Sequence, residues 1–158
     1  MPDLNGFDLD EIAGALSDQE SYEHLMLVNA KTGELVFWSA DTGIDGHTPV
    51  ELDDLDEDLV GIRPLPSWVW YQDMTDFVTG INDERAARRL GRAIEGKGAF
   101  RRFRMELEEE HPELLAPWRA FRDTRARRRA AEWLEENNMI SQDQAARYLA
   151  SHPDPHLP

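Results

Sequence analysis

The spacing of apolar residues changes once along this chain, near residue 67, and that change limits the fold. Before it, HLMLVNA (24–30) and ELVFWSA (34–40) are two short runs rich in strand-forming residues. Gly33 stands between them and suits the left-handed position of a hairpin turn. Leu25 and Leu27 lie on one face of the first run, Met26 and Val28 on the other. Both faces are apolar, so one of them should meet helices. LVGIRPL (59–65) reads as a third strand, and DLDEIAGALSD (8–18) as a short helix before the hairpin. After residue 67 the period is helical almost to the end. Strands gathered at the front and helices behind predict an α+β fold. The expected form is a small antiparallel sheet, a hairpin plus a third strand, packed on a bundle of four to five helices.

The helical half divides at its punctuation. Trp70, Met74, Phe77 and Ile81 make a core stripe, with Ser67 as the expected cap. NDERAARRLGRAIEG follows, capped by Asn82 or Asp83. It sets Arg85, Arg88, Arg89 and Arg92 against Ala86, Leu90, Ala93 and Ile94, so it should lie on a core with a basic outer face. A helix over 99–110 aligns Phe100, Phe103 and Leu107. Pro112 and Pro117 mark the next connection. The long helix after it interleaves Trp118, Phe121 and Trp133 with Arg122, Arg125 and Arg129 on one face. Ser141 and Gln144 form a capping box for a last helix, and SHPDPHLP reads as a frayed tail. The expected organisation is one domain over 1–138, with an acidic mobile loop at 41–58. A C-terminal helix and flexible tail are added at 139–158.

Charge is distributed unevenly. Residues 1–60 hold 16 acids and one base, whereas residues 85–129 hold 14 bases and 7 acids. A uniformly acidic chain would argue against nucleic acid; this arginine-rich middle keeps it as an alternative partner. The chain has no cysteine and no apolar run near the ~20 residues that cross a bilayer. The expectation is a cytoplasmic protein that does not use a membrane.

Several short patterns imitate known sites. Asp54, Asp56 and Asp58 begin like a calcium-binding EF-hand loop, but Leu59 stands where glycine is needed and Leu65 where glutamate is needed. Asp41-Thr42-Gly43 imitates an aspartic-protease triplet without the further strands such a fold requires. Gly91, four residues, then Gly96-Lys97 spells most of a P-loop. A P-loop follows a buried strand and ends in a hydroxyl that binds magnesium. Here a helix precedes it and Gly98 ends it, so it reads as a helix joint. Gly96 would close one helix and Gly98 open the next. The free amides of that opening, with Lys97, Arg101 and Arg102, make an anion-binding candidate comprising Lys97, Gly98, Arg101 and Arg102. Arg101 and Arg102 would also open a DNA-reading helix, against which the ELEEE that closes the same helix counts.

The residues suggest neither a catalytic set nor a metal site or cofactor. His24, His47, His111, His152 and His156 have no ligand-like spacing. Asp73 and Asp76, one turn apart, could do acid–base work. The stronger reading is structural ion pairing among Asp73, Asp76, Arg122, Asp123 and Arg125, because an arginine on an aromatic face needs a partner.

DMTDFV, RAIEGKGAFRRFR and WRAFRDTRARRRAAEWLEEN resemble the bacterial proteins grouped as Uncharacterised protein family 0158, and VNAKTGELVFWS resembles that family's N-terminal hairpin. The resemblance covers residues 8–138 and implies no activity, substrate or catalytic residue. The helix and tail at 139–158 read as additions to the family pattern. The favoured reading is a non-enzymatic interaction or regulatory module with a protein partner. The alternatives are a nucleic-acid-associated protein using residues 85–129, and a small hydrolase.

Overall fold

A computed structural model describes residues 3–18 and 24–158. The fold is α+β. Among the described residues it has six α-helices and one three-stranded antiparallel sheet. The chain forms two compact units where the sequence suggested one domain over 1–138. One is Met1–Leu65 with Ala126–His152, the other Pro66–Arg125 with Pro153–Pro158.

The first unit opens with α1 (Leu9–Ser17), capped by Asp8, whose carboxylate accepts from the Glu11 amide. The strands are β1 (His24–Asn29), β2 (Leu35–Ser39) and β3 (Leu59–Gly61), in the order β2-β1-β3. In the hairpin register Leu25 faces Trp38 and Leu27 faces Val36. These four lie on one face, packed with Val50, Leu52, Leu55 and Leu59. The turn holds because the Asn29 side chain accepts from the amides of Lys31 and Thr32. Gly33 adopts φ 79°, and a Cβ there would run into the carbonyl of Gly6. β3 ends sooner than LVGIRPL suggested. Ile62 still donates to Met26, but Pro64 and Pro66 have no amide to continue the ladder.

The acidic segment 41–58 has its own anchors. Gly43 bridges Ser39, the Trp38 indole donates to the Val50 carbonyl at 2.8 Å, and Leu52–Asp54 form one 3₁₀ turn. Among its acids, Asp58 pairs with Lys31 and Asp56 accepts from the Asp58 amide. No metal-binding group of three or more side chains occurs among the described residues.

The second unit contains α2 (Ser67–Gly80), α3 (Glu84–Ala93), α4 (Ala99–Glu110) and the first part of α5 (Leu115–Glu136). Ser67 is the first helical residue of α2 and not its cap; Pro66 precedes it and no side chain caps the end. Asp83 caps α3 through the Ala86 amide. The core of this unit is aromatic. Trp118 lies 4.8 Å from Phe103 and 5.3 Å from Phe77, ring centre to ring centre, and Phe121 lies 5.8 Å from Phe77. Met74, Val78, Ile81, Leu90, Ile94 and Leu107 complete it. Trp70 is only half-buried, and Phe100, aligned with Phe103 in the sequence, is 47% exposed.

α5 begins at Leu115, earlier than its prolines suggested, because Pro117 falls in the first turn, where no intrahelical donor is lost. Asn138, at φ 60°, follows its end, and the Met139 amide turns back to the Leu134 carbonyl. Then comes α6 (Gln142–Ser151), capped by Ser141 through the Gln144 amide. Residues 153–158, expected to fray, carry specific contacts within the second unit. Asp154 pairs with Arg125, Leu157 packs on the apolar cluster, and the Pro158 carbonyl accepts from the Asn82 amide at 2.8 Å. No helix among the described residues is long and apolar enough to cross a membrane.

Candidate functional site

The arginines of the second unit divide into those held internally and those left free. Arg125 is the most engaged. Its Cζ sits 4.6 Å above the Phe121 ring, which fixes the guanidinium on the aromatic core. Nη1 lies 3.3 Å from Asp73 Oδ1 and in direct contact with Asp76 Oδ2. Nη2 and Nε donate to Asp154 Oδ2 at 2.9 and 3.2 Å. Asp73 is 1% exposed, so this carboxylate meets the guanidinium inside the core. Burial works against the charge on Arg125, yet the carboxylates of Asp154, Asp76 and Asp73 outweigh it and hold its pKa above the ordinary value. Arg122 does not join this cluster. It pairs with its neighbour Asp123 at 3.0 Å, both near half-exposed.

The joint between α3 and α4 uses a second arginine. Gly96 and Gly98 both have positive φ, at 76° and 77°, and Gly98 is the residue before α4. Arg102 folds back over this turn. Nε donates to the Ala93 carbonyl at 2.8 Å, and its two terminal nitrogens donate to the carbonyls of Lys97 and Glu95. The Ala93 carbonyl closes α3, where the helix has no further amides to offer it, and those of Glu95 and Lys97 lie in the turn that follows. Of the anion-binding candidate Lys97, Gly98, Arg101 and Arg102, the last therefore has its guanidinium turned toward carbonyl oxygens. Lys97 and Arg101 remain exposed. Helix, turn and helix run through 91–100, without the strand a P-loop needs.

The basic face of α3 is split in the same way. Arg89 donates to Glu106 Oε1 at 2.5 Å and lies 3.8 Å from Glu110. The hydrogen bond and charge of Glu106 raise the Arg89 pKa. Arg85, Arg88 and Arg92 are exposed and form no ion pair among the described residues. Arg101 and Arg104 on α4 are likewise exposed.

Sequence reasoning missed several contributors. Asp154 and Leu157 sit in a stretch read as tail. Glu106 belongs to a run of glutamates with nothing to distinguish it. His111 is 7% exposed, with Nε2 3.6 Å from Glu106 Oε1 and no hydrogen-bond partner among the described residues. Its place directly before Pro112, at a helix end, was the available signal.

On the first unit, a cavity of about 200 Å³ lies between α1 and the sheet, lined by Gly14, Ala15, Met26, Phe37 and Ile62. His24 at its edge stacks on Phe37 and lies 3.6 Å from Asp18.

A model of the Uncharacterised protein family (UPF0158) matches residues 7–150. The match takes in α6 up to residue 150. A relative from Pseudomonas aeruginosa, the UPF0158 protein PA5073, is 30% identical over 132 residues, 84% of this chain and 83% of the relative. No solved structure matches. The chain belongs to the UPF0158 family.

Proposed function

We propose that this chain is a non-enzymatic interaction module whose contact surface is the free arginine face of α3, and that its partner is a protein surface rich in aspartate and glutamate. One observation carries the reading. Arg85, Arg88 and Arg92 are exposed without an ion-pair partner among the described residues, while Arg89, Arg102 and Arg125 are each held internally. Their spacing of three and four residues sets the three charges on one stripe about 10 Å long. Exposed arginines offer planar, bidentate donors to carboxylates. The unit bearing them has 11 basic and 12 acidic residues, whereas the other unit has 6 and 20. The stripe thus lies on the less acidic part of a strongly acidic chain. The engagement of Asp73 and Asp76 by Arg125 weighs against the hydrolase alternative, since both carboxylates already hold a guanidinium in place of a substrate or water.

The test is affinity capture from native cells with the wild-type chain and an Arg85→Glu/Arg88→Glu/Arg92→Glu variant, with and without nuclease. A nuclease-resistant protein captured by the wild type and lost by the variant supports the reading. Equal capture by both moves the contact surface elsewhere.

A second reading, association with nucleic acid, has its own support. Phe100 is 47% exposed beside exposed Arg101 and Arg104, an aromatic set among cations as base stacking requires. Strong heparin retention that falls steeply with salt, together with nuclease-sensitive capture, would replace the protein partner with nucleic acid.

A further inference from the structure

We infer that the second unit carries a recognition seat for a short extended peptide of the pattern Asp-x-x-Leu-Pro, and that residues 154–158 of this chain are its resident occupant. The occupant to which the seat answers in exchange is a partner peptide of that same chemistry. This inference rests on residues other than the arginine face of α3 and stands apart from the reading above.

Three contacts define the seat. At one end Arg125 presents Nη2 and Nε to a single carboxylate oxygen, Asp154 Oδ2. In the middle Leu157 packs against the buried cluster of Phe77 and its neighbours. Gly80 borders this place: a Cβ there would lie 2.5 Å from Leu157 Cδ1, so the leucine tip would have to shift. At the far end the Asn82 amide, just ahead of the Asp83 cap, donates to the Pro158 carbonyl at 2.8 Å. Between them His156 is exposed and contributes no hydrogen bond or ion pair among the described residues. The seat therefore reads a carboxylate, a leucine three residues later and the next backbone carbonyl.

Two properties make the resident exchangeable. Arg125 keeps Asp73 and Asp76 when Asp154 leaves, so its guanidinium is still paired when the seat is empty. The resident's contacts are few, and its hold depends on the high effective concentration that tethering to α6 gives it. Pro153, Pro155 and Pro158 restrict the backbone of the segment, which lowers the cost of ordering it.

The experiment uses the full-length chain with Asp154→Lys and Leu157→Asp, which removes the resident's two side-chain anchors and leaves the seat intact. The probe is a synthetic peptide of residues 152–158. The readout is the pair of backbone amide signals of Gly80 and Asn82. The substitutions should shift both signals. Added peptide should return them toward their wild-type positions saturably, at about millimolar strength. A peptide with aspartate in place of its leucine should not. Gly80→Val in the same background should weaken peptide binding about tenfold by crowding the leucine's place. Signals unmoved by the tail substitutions, or moved and then indifferent to the peptide, would overturn the seat. A concentration-dependent dimer of the wild-type chain that the tail variant loses would make a second copy's tail the occupant and overturn the partner-peptide reading.

Discussion

Arg125 Nη1 and Asp73 Oδ1 lie 3.3 Å apart, although 52 residues separate them in sequence. Asp73 is 1% exposed and sits on the core face of α2 beside Met74 and Phe77. Removing the guanidinium would take a cationic partner from that buried carboxylate. Arg125→Ala should destabilise the chain by about 3 kcal/mol, measured by denaturant unfolding. Arg122→Ala is the control, because its pair with Asp123 is exposed and should cost less than about 0.5 kcal/mol. Equal losses for both variants would mean that Asp73 does not depend on Arg125.

The joint between α3 and α4 depends on Arg102 in the same concrete way. Three carbonyls, those of Ala93, Glu95 and Lys97, take their donors from one side chain. Water replaces some of this at an exposed turn, so Arg102→Ala should cost about 1–2 kcal/mol. Gly98→Ala adds a different strain. It places a Cβ at φ 77° and 3.1 Å from Arg102 Nη1. That variant should lose about 1–2 kcal/mol from the backbone alone. Exchange of the amides of 95–99 with deuterium should quicken in both variants before it quickens in the cores of α3 and α4.

These two clusters show what could be read from the sequence. The helices over 84–93 and 99–110 and the hairpin followed from period and turn residues, which are local signals. The candidate partners Asp73, Asp76 and Arg125 followed from chemical need: a cation interleaved with Trp118 and Phe121 requires a carboxylate. Asp154 did not follow, because a proline-rich stretch has no period and its contacts, Arg125, the apolar cluster and the Asn82 amide, lie far away in sequence. The contacts of Arg102 are not legible for a related reason: a guanidinium that donates to the carbonyls of Ala93, Glu95 and Lys97 leaves no mark in residue spacing. The anchoring of the acidic segment was hidden in the same way, since Val50, Leu52 and Leu55 lie among acids and their contacts come from Leu25, Leu27 and Trp38 on the sheet.

The turn at 45–48 gives a pH-dependent expectation. Asp45 Oδ1 accepts from the amides of His47 and Thr48, each at 2.7 Å. The Thr48 amide first, then that of His47, lowers the Asp45 pKa below its ordinary 3.8. A depressed folded-state pKa gives a contribution that is present above the unfolded value and is lost as pH falls through the folded one. Protection of the His47 and Thr48 amides should therefore persist at neutral pH and through mild acid. It should disappear only below the ordinary carboxylate range. Asp45→Asn should remove this pH dependence, and protection that decays already near pH 5 would contradict the assignment.

The buried histidine offers the last test, through its neighbour. Glu106 Oε1 is shared: Arg89 Nε donates to it at 2.5 Å, and His111 Nε2 lies 3.6 Å away. His111 is 7% exposed, and its Nε2 makes no hydrogen bond to any described residue. A buried nitrogen left unsatisfied has already lost its water without gaining a partner. Replacing the ring with an apolar side chain of similar size removes that cost. His111→Leu should therefore leave stability unchanged or raise it, by up to about 1 kcal/mol, in denaturant unfolding at pH 7. Arg89→Ala should do the opposite. It leaves Glu106, whose side chain is 17% exposed, without the cation that now holds it, and stability should fall. The double variant separates the two effects. If His111 is only a passive neighbour, the losses add. If His111 takes over as donor to Glu106 when Arg89 is removed, His111→Leu becomes destabilising in the Arg89→Ala background, and the coupling between the two substitutions measures that exchange.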